Sequence, residues 1–348
     1  MWSRRRLPTF FVSLATLPSL LAIAAQAADN AVNIYSYREP QLIEPMLKAF
    51  TAKTGIKANV LFAKEGLIER MEAEAANSPV DVLLTNEFGL LTLAKEKRVT
   101  QPIDMASIAA NIPERYRDSE GHWIGLTGRA RVVYASKDRV AQDQITMEEL
   151  ADPKWRGRIC IRSGQYTYNT VLFASLILHK GAAWTEQWLK GLKENLAQKP
   201  SGGDRDVAKA IFAGKCDIGI ANTYYLGALA TSSSAEHQAW AASIKILFPN
   251  SADRGTPVNI TGMALAGRAP NKDRALQLMQ FLTSEEAQAL YASINHEYPL
   301  KEGVAWSDLV RSWGTFRSDM ARLEDVARLR RQASELVDTV NFDAGPGT

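Results

Sequence analysis

The apolar residues of this chain change period again and again, and that alternation limits the fold more than any single motif does. Val32 and Ile34 alternate with polar neighbours as in a strand. Leu42, Ile43, Met46, Leu47 and Phe50 then follow at three- and four-residue spacing, which makes one apolar helix face with Gly55 as its stop. Residues 58–62 read as a second strand, Leu67, Ile68, Met71 and Ala75 as a second helix, and 80–84 as a third strand. A β-α-β-α-β opening predicts a largely parallel sheet with helices on its faces. A second set follows, with strands over 132–134, 158–161 and 216–221 and helices over 147–151, 169–180, 184–196 and 204–213. A strand over 257–261, extended by 264–266, and a helix with Ala275, Leu278, Phe281 and Leu282 on one face then return to the first set. Helical spacing with charge on the other faces marks 306–340 as a cap.

The first residues carry an address. Arg4, Arg5 and Arg6 precede an apolar core over 10–25, and Ala25-Gln26-Ala27 supplies a small-x-small cleavage pattern, so 1–27 reads as an export signal and is left out of the fold. Residues 3–7 also loosely resemble a twin-arginine signal, although a basic leader explains the same residues. The 348 residues less those 27 leave 321, beyond the ~250–300 at which a single core stops growing. Two lobes are expected, and the lack of a low-complexity linker predicts crossing strands that act as a hinge. The 41 basic residues less the leader's three arginines leave 38, against 38 acidic ones. That balance offers no net basic stripe for nucleic acid. Cys160 and Cys216 form either one disulfide, as in exported proteins, or two buried thiols, and spacing does not decide between them.

Chemistry is carried by Tyr224 and Tyr225, where the run 216–221 ends. This position is the carboxyl end of a strand, where α/β sheets present ligand sites, and the pair is expected on a loop. Phenolate oxygen is a hard anionic donor suited to a small, highly charged cation such as ferric iron. The four histidines, His122, His179, His237 and His296, are scattered without ligand spacing and read as surface or packing residues. No Gly-x-Ser-x-Gly elbow, His-Glu-x-x-His helix or phosphate-binding Gly-Lys-Ser/Thr loop is present, so the chain is not read as an enzyme.

The ordered set Asn33-Ile-Tyr-Ser-Tyr-Arg38, Ser78-Pro-Val-Asp-Val-Leu-Leu-Thr85, Gly125-Leu-Thr-Gly-Arg-Ala-Arg131, Leu150-Ala-Asp-Pro-Lys-Trp-Arg-Gly-Arg158, Cys160-Ile-Arg-Ser163, Asn222-Thr-Tyr-Tyr225 and Val258-Asn-Ile-Thr-Gly262 resembles the periplasmic ferric-ion-binding proteins. These are the solute-binding components of iron ABC importers. The resemblance spans about 31–300 and implies an α/β, two-lobed type II periplasmic-binding-protein fold, each lobe a mainly parallel sheet flanked by helices and joined by hinge strands. Lobe 1 would comprise 28–130 with 258–300, lobe 2 would comprise 131–257, and 301–348 would be a C-terminal helical segment packed on the lobes. Tyr224, Tyr225 and Tyr168 match the family's iron-binding tyrosines, with Tyr166 as the competitor to Tyr168. Tyr37 is a further oxygen donor, and Glu65 stands where some relatives use a carboxylate. Arg38 is the expected clamp for a synergistic anion such as carbonate or bicarbonate, since a guanidinium fork binds it bidentately. Glu39 and Arg129 are placed at the same anion, and Arg131 flanks the crossing segment. The resemblance implies a monomer that binds ferric iron or a ferric chelate in the periplasm and hands it to a permease of the inner membrane. The alternative is a binder of an organic cation, a polyamine or thiamine, on the same fold.

Overall fold

The computed structural model describes residues 30–104 and 106–347. The leader expected over 1–27 lies outside them. The described chain opens with β1 (Ala31–Ser36), α1 (Glu44–Thr54), β2 (Lys57–Phe62), α2 (Leu67–Glu74), β3 (Val82–Thr85) and α3 (Phe88–Glu96). This is the order read from the apolar periods. Met46, Leu47 and Phe50 are the buried face of α1, and the helix stops at Gly55, whose φ of 72° is the left-handed conformation that glycine adopts freely.

β4 (Thr100–Gln101) and α4 (Ala106–Ala109) lead into β5 (Trp123–Ser136), a strand of 14 residues buried throughout. The strand read over 132–134 is only its end. Gly125, Gly128, Arg129 and Arg131 interrupt the apolar pattern in its first part, so periodicity misses it. β6 (Ile159–Cys160), α5 (Thr167–Lys180), α6 (Ala182–Glu194), α7 (Asp204–Phe212), β7 (Ile218–Asn222), α8 (Thr223–Ala230), α9 (Ala235–Ala242) and β8 (Ile244–Leu247) come next. The chain then returns through β9 (Val258–Ala266), α10 (Lys272–Leu282), α11 (Glu285–Asn295) and β10 (Tyr298–Pro299). It ends in α12 (Asp308–Ser312), α13 (Leu323–Arg328) and α14 (Arg330–Thr339).

Two sheets share β5. In the first, β2–β1 and β1–β3 are parallel, whereas β3–β9 and β9–β5 are antiparallel. In the second, the last residues of β5 pair antiparallel with β7 and β8, and β6 joins β7 in parallel. Parallel pairing therefore occupies the outer parts of the order β2-β1-β3-β9-β5-β7-β6. The centre is antiparallel because β5 leaves the first sheet for the second while β9 comes back. The switch falls between Ala130, opposite Val258, and Arg131, opposite Asn222.

Residues 168–177 of α5 are all buried, because α6, α13 and α14 cover the helix. Helix α13 also touches α3, so the tail spans helices attached to both sheets. The helical spacing read over 306–340 is split in three, with Gly314 at φ 95° just after α12. Among the described residues no helix is long and apolar enough to cross a membrane.

Cys160 and Cys216 form a disulfide with their Cα atoms 5.9 Å apart, which ties β6 to the segment entering β7. The bond closes a loop with a sequence separation of 56. A loop of that size removes enough freedom from the unfolded chain to be worth roughly 2–4 kcal/mol. The double variant Cys160→Ser/Cys216→Ser is expected to lose about that much in urea unfolding. An unchanged midpoint would show that the second sheet does not depend on the bond.

Candidate metal centre

The chain leaves β7 at Asn222, and this residue caps α8. The tyrosine pair therefore stands in the first turn of a helix, not on the loop expected from the sequence. Asn222 is fixed at three points. Its N–H donates to Asp204 Oδ2 at 2.8 Å, its carbonyl accepts from the Tyr134 hydroxyl at 2.6 Å, and its Oδ1 accepts from Arg131 Nη1 at 3.3 Å. The rings of Tyr224 and Tyr225 lie 4.1 Å apart between centroids, the first buried and the second half-buried. One turn further along α8, a Cβ on Gly227 would lie 2.6 Å from the side chain of His296, so glycine lets that segment approach the helix.

Tyr168 occupies the second position of α5 and is buried, while Tyr166 caps that helix and is half-buried. Their rings meet edge-on at 5.0 Å, and the Arg162 guanidinium lies 3.2 Å over the Tyr166 ring.

Buried arginines surround these rings. The Arg129 guanidinium lies 5.8 Å from the ring centres of both Tyr168 and Tyr224. It donates to the Asn86 carbonyl, which leaves Nε and Nη1 without a protein partner. Arg38 Nη2 pairs with Glu297 Oε1 at 2.7 Å, and the other Glu297 oxygen accepts from Thr127 Oγ1 at 2.5 Å. Burial works against the Arg38 charge, but Glu297 above all, with Tyr224 and Tyr168, holds it protonated beyond its ordinary range.

Burial, reinforced by neighbouring phenols, pushes the hydroxyl of Tyr224 far above the usual phenol range. The same causes raise Tyr225, and they bring Tyr166 up to about 12. These phenols are therefore neutral at pH 7 when nothing binds them.

A cavity of about 520 Å³ receives both groups. Tyr37, Arg38 and Glu39 line one wall, and Tyr166, Tyr168, Tyr224 and Tyr225 line the other with Arg162 and Asp204. Tyr37 is buried, and its hydroxyl accepts from the Ile68 N–H at 3.0 Å, toward α2. Glu39 and Glu65 are exposed at the edge of the cavity. Arg129 sits beside the rings and is not part of the wall, while Arg131 is committed to Asp204, Asn222 and Asn169. Three histidines stand apart from the cavity. His122 faces the Thr100 hydroxyl, His179 pairs with Asp319, and His237 faces Ser232.

Sequence reading missed Arg162, Asp204 and Glu297. His296, read as a surface or packing residue, packs against α8 and also lines the cavity, with a left-handed φ of 56°. No local signal marks Asp204, which opens a helix after two glycines as many aspartates do. Glu297 finds Arg38 across 259 residues of sequence. Among the described residues no three His, Cys, Asp or Glu side chains cluster to hold a metal ion, while Tyr37, Tyr166, Tyr168, Tyr224 and Tyr225 all line this one cavity. Phenols that give up their protons become hard anionic donors, which suit a small, highly charged cation.

Known proteins share this architecture. Residues 77–311 match the family model described as bacterial extracellular solute-binding protein. The chain is 40% identical over 316 residues to iron uptake protein A1 of Synechocystis sp., covering 90% of this chain and 88% of that one. The crystal structure of apo ferric ion-binding protein A of Pasteurella haemolytica superposes with a TM-score of 0.86 at 47% identity, over 90% of this chain and 98% of that one. A Trichodesmium protein (IdiA, FutA), solved in complex with iron and citrate ligands, gives 0.85 at 40% identity over 90% and 99%. The chain belongs to the periplasmic ferric-ion-binding proteins, within the bacterial extracellular solute-binding family.

Proposed function

We propose that this protein binds ferric iron through the phenolates of Tyr168, Tyr224 and Tyr225 and carries it, as a monomer in the periplasm, to an ABC permease of the inner membrane. The observation that carries this reading is that the three phenols line one cavity, with Arg38, Arg162 and Asp204 in its wall and the buried Arg129 beside the rings of Tyr168 and Tyr224. Three phenolates offset the charge of a trivalent ion, which would otherwise be costly in a cleft of reduced dielectric. Tyr37 is the candidate further donor from the opposite wall. The protein acts as a carrier, with binding and release as its only chemistry.

Charge supports a companion anion. Arg38 is balanced by Glu297, and Asp204 is shared by Arg131 and Arg162, while among the described residues Arg129 has no carboxylate partner. With three phenolates matching the ion, this arrangement keeps a positive excess beside it. Carbonate, bicarbonate or the carboxylates of a ferric chelate would offset that excess against Arg38, which lines the cavity, with Arg129 contributing its charge from beside the rings. Glu39 carries a charge that opposes an anion, so the anion is assigned to the guanidiniums. A polyamine or thiamine site would place acids, not arginines, against the aromatic faces.

Titration of the mature protein with ferric citrate is expected to produce a visible phenolate-to-iron charge-transfer band that saturates near one iron per chain. Tyr224→Phe and Tyr225→Phe are each expected to lose or shift that band. No band in the wild type would overturn the ferric reading in favour of an organic ligand.

Affinity is also expected to depend on pH. The raised phenols are protonated in the empty site, and iron must displace those protons. Apparent affinity should then fall as pH falls, by up to about tenfold per pH unit for each proton released. Competition against citrate between pH 6.5 and 8.5, corrected for the chelator's own protonation, measures the slope. A flat profile would exclude phenols as the donors.

A further inference from the structure

The tyrosines of the site come from two stretches of chain, the start of α5 and the start of α8, and one carboxylate stands between them. Asp204 is the first residue of α7, and its side chain is fully buried. Its Oδ2 accepts the Asn222 N–H at 2.8 Å and Arg131 Nη1 at 2.7 Å, and its Oδ1 faces Arg162 Nη1 at 3.3 Å. Asn222 is the cap from which Tyr224 and Tyr225 follow directly.

The connection to Tyr168 runs through Arg131. That guanidinium donates from Nη2 to Asn169 Oδ1 at 2.5 Å, and Asn169 is the next residue after Tyr168. Asn169 Nδ2 in turn donates to the carbonyls of Arg162 and Ser163, at 3.1 and 2.9 Å, fixing the loop that enters α5. Arg162, the other partner of Asp204, lies over Tyr166 and 5.7 Å from the centre of the Tyr168 ring. One buried carboxylate therefore touches both phenol-bearing segments through bonds that leave little freedom.

We propose that Asp204 is a positioning residue for the phenolate group, a single charge that sets the α5 tyrosine against the α8 pair before iron arrives. Its charge does work that size alone could not. Replacing it by an amide would leave the buried Arg131 and the half-buried Arg162 without their shared counterion, and the two segments would shift in response. Asp217 provides the contrast. It pairs with Arg139 Nε at 2.5 Å and Arg158 Nε at 2.6 Å in the same part of the fold, with two arginines as for Asp204, but neither partner reaches a tyrosine of the cleft.

This inference rests on the ferric reading of the cleft, and the test separates the two. The wild-type chain, Asp204→Asn, Asp217→Asn and Asn169→Ala are titrated with ferric citrate, and the thermal midpoint of each iron-free protein is recorded. Asp204→Asn is expected to bind one iron with a shifted charge-transfer band and affinity lowered about 10- to 100-fold, the usual effect of losing a group that orients metal ligands. Asp217→Asn is expected to lower the thermal midpoint while keeping wild-type affinity and band. Wild-type affinity and band in Asp204→Asn would overturn the proposal. Equal losses of affinity in both aspartate variants would overturn it too, because they would show a general effect of stability. Should Asp204→Asn fail to fold, Asn169→Ala decides: a shifted band supports the hub, and an unchanged one removes it. A wild type with no band would take the ferric reading and this inference down together.

Discussion

A polar seam through a buried strand organises this molecule. β5 is buried from end to end, yet it sets Thr127, Arg129 and Arg131 on one face, because alternate residues of a strand share a side. Across the ladder they meet Thr261, Asn259 and Asn222. Leaving such groups unpaired would cost several kcal/mol for each charge, so the fold must bring partners to them. Glu297 comes from the segment before β10, the Asn86 carbonyl from the end of β3, and Asp204 from the start of α7. Those three elements border the cleft. Thr127 and Arg131 meet a carboxylate in this way, whereas Arg129 receives only a carbonyl and stays open beside the site.

The seam also explains why tyrosines suit this cavity. Aspartate or glutamate beside Arg38 and Arg129 would be ionised in the empty protein and would pair with them, closing the site on itself. A buried phenol keeps its proton and stays neutral, and its ring face still attracts a guanidinium, by about 0.5–2 kcal/mol. Arg129 between Tyr168 and Tyr224 is held in this way, with N–H groups left over. On the ferric reading proposed above, the raised phenols of Tyr224 and Tyr225 become anionic only when a cation strong enough to displace their protons enters. That reading makes the resting protonation state itself favour a highly charged ion.

The sequence displays the outer strands and their helices clearly, since each of those elements has one apolar face or a short apolar run. Met46, Leu47 and Phe50 of α1 show the principle, as does Gly55 after them. What it hides is long-range pairing. The arginines of β5 break the apolar alternation, and their partners lie far along the chain, so neither the strand's true length nor Glu297 and Asp204 could be read locally. The helical setting of Tyr224 and Tyr225 was hidden for another reason. Asn222 is a residue type that commonly starts helices, but α8 has only eight residues and follows β7 without a break, so no turn signal separates the helix from the strand run. Tyr168 was separable from Tyr166 only by resemblance. The structure distinguishes them physically, with Tyr168 buried next to Arg129 and Tyr166 half-buried under Arg162.

The two walls of the cleft differ in how they are anchored. Tyr168, Tyr224 and Tyr225 hang on the second sheet, where Asp204, Arg131 and Asn169 tie α5, α7 and β7 into one buried block. Arg38 follows β1 in the first sheet and is fixed by Glu297, itself held by Thr127 at the near half of β5. On the ferric reading proposed above, bending of β5 where it passes from one sheet to the other would move Arg38 relative to the phenols while leaving the phenols in register with one another. The ion-holding geometry and the approach of the opposing charge are then separate variables. On that same proposed reading, withdrawing the Arg38 wall would lower the grip on the ion without dismantling the phenols on the other wall.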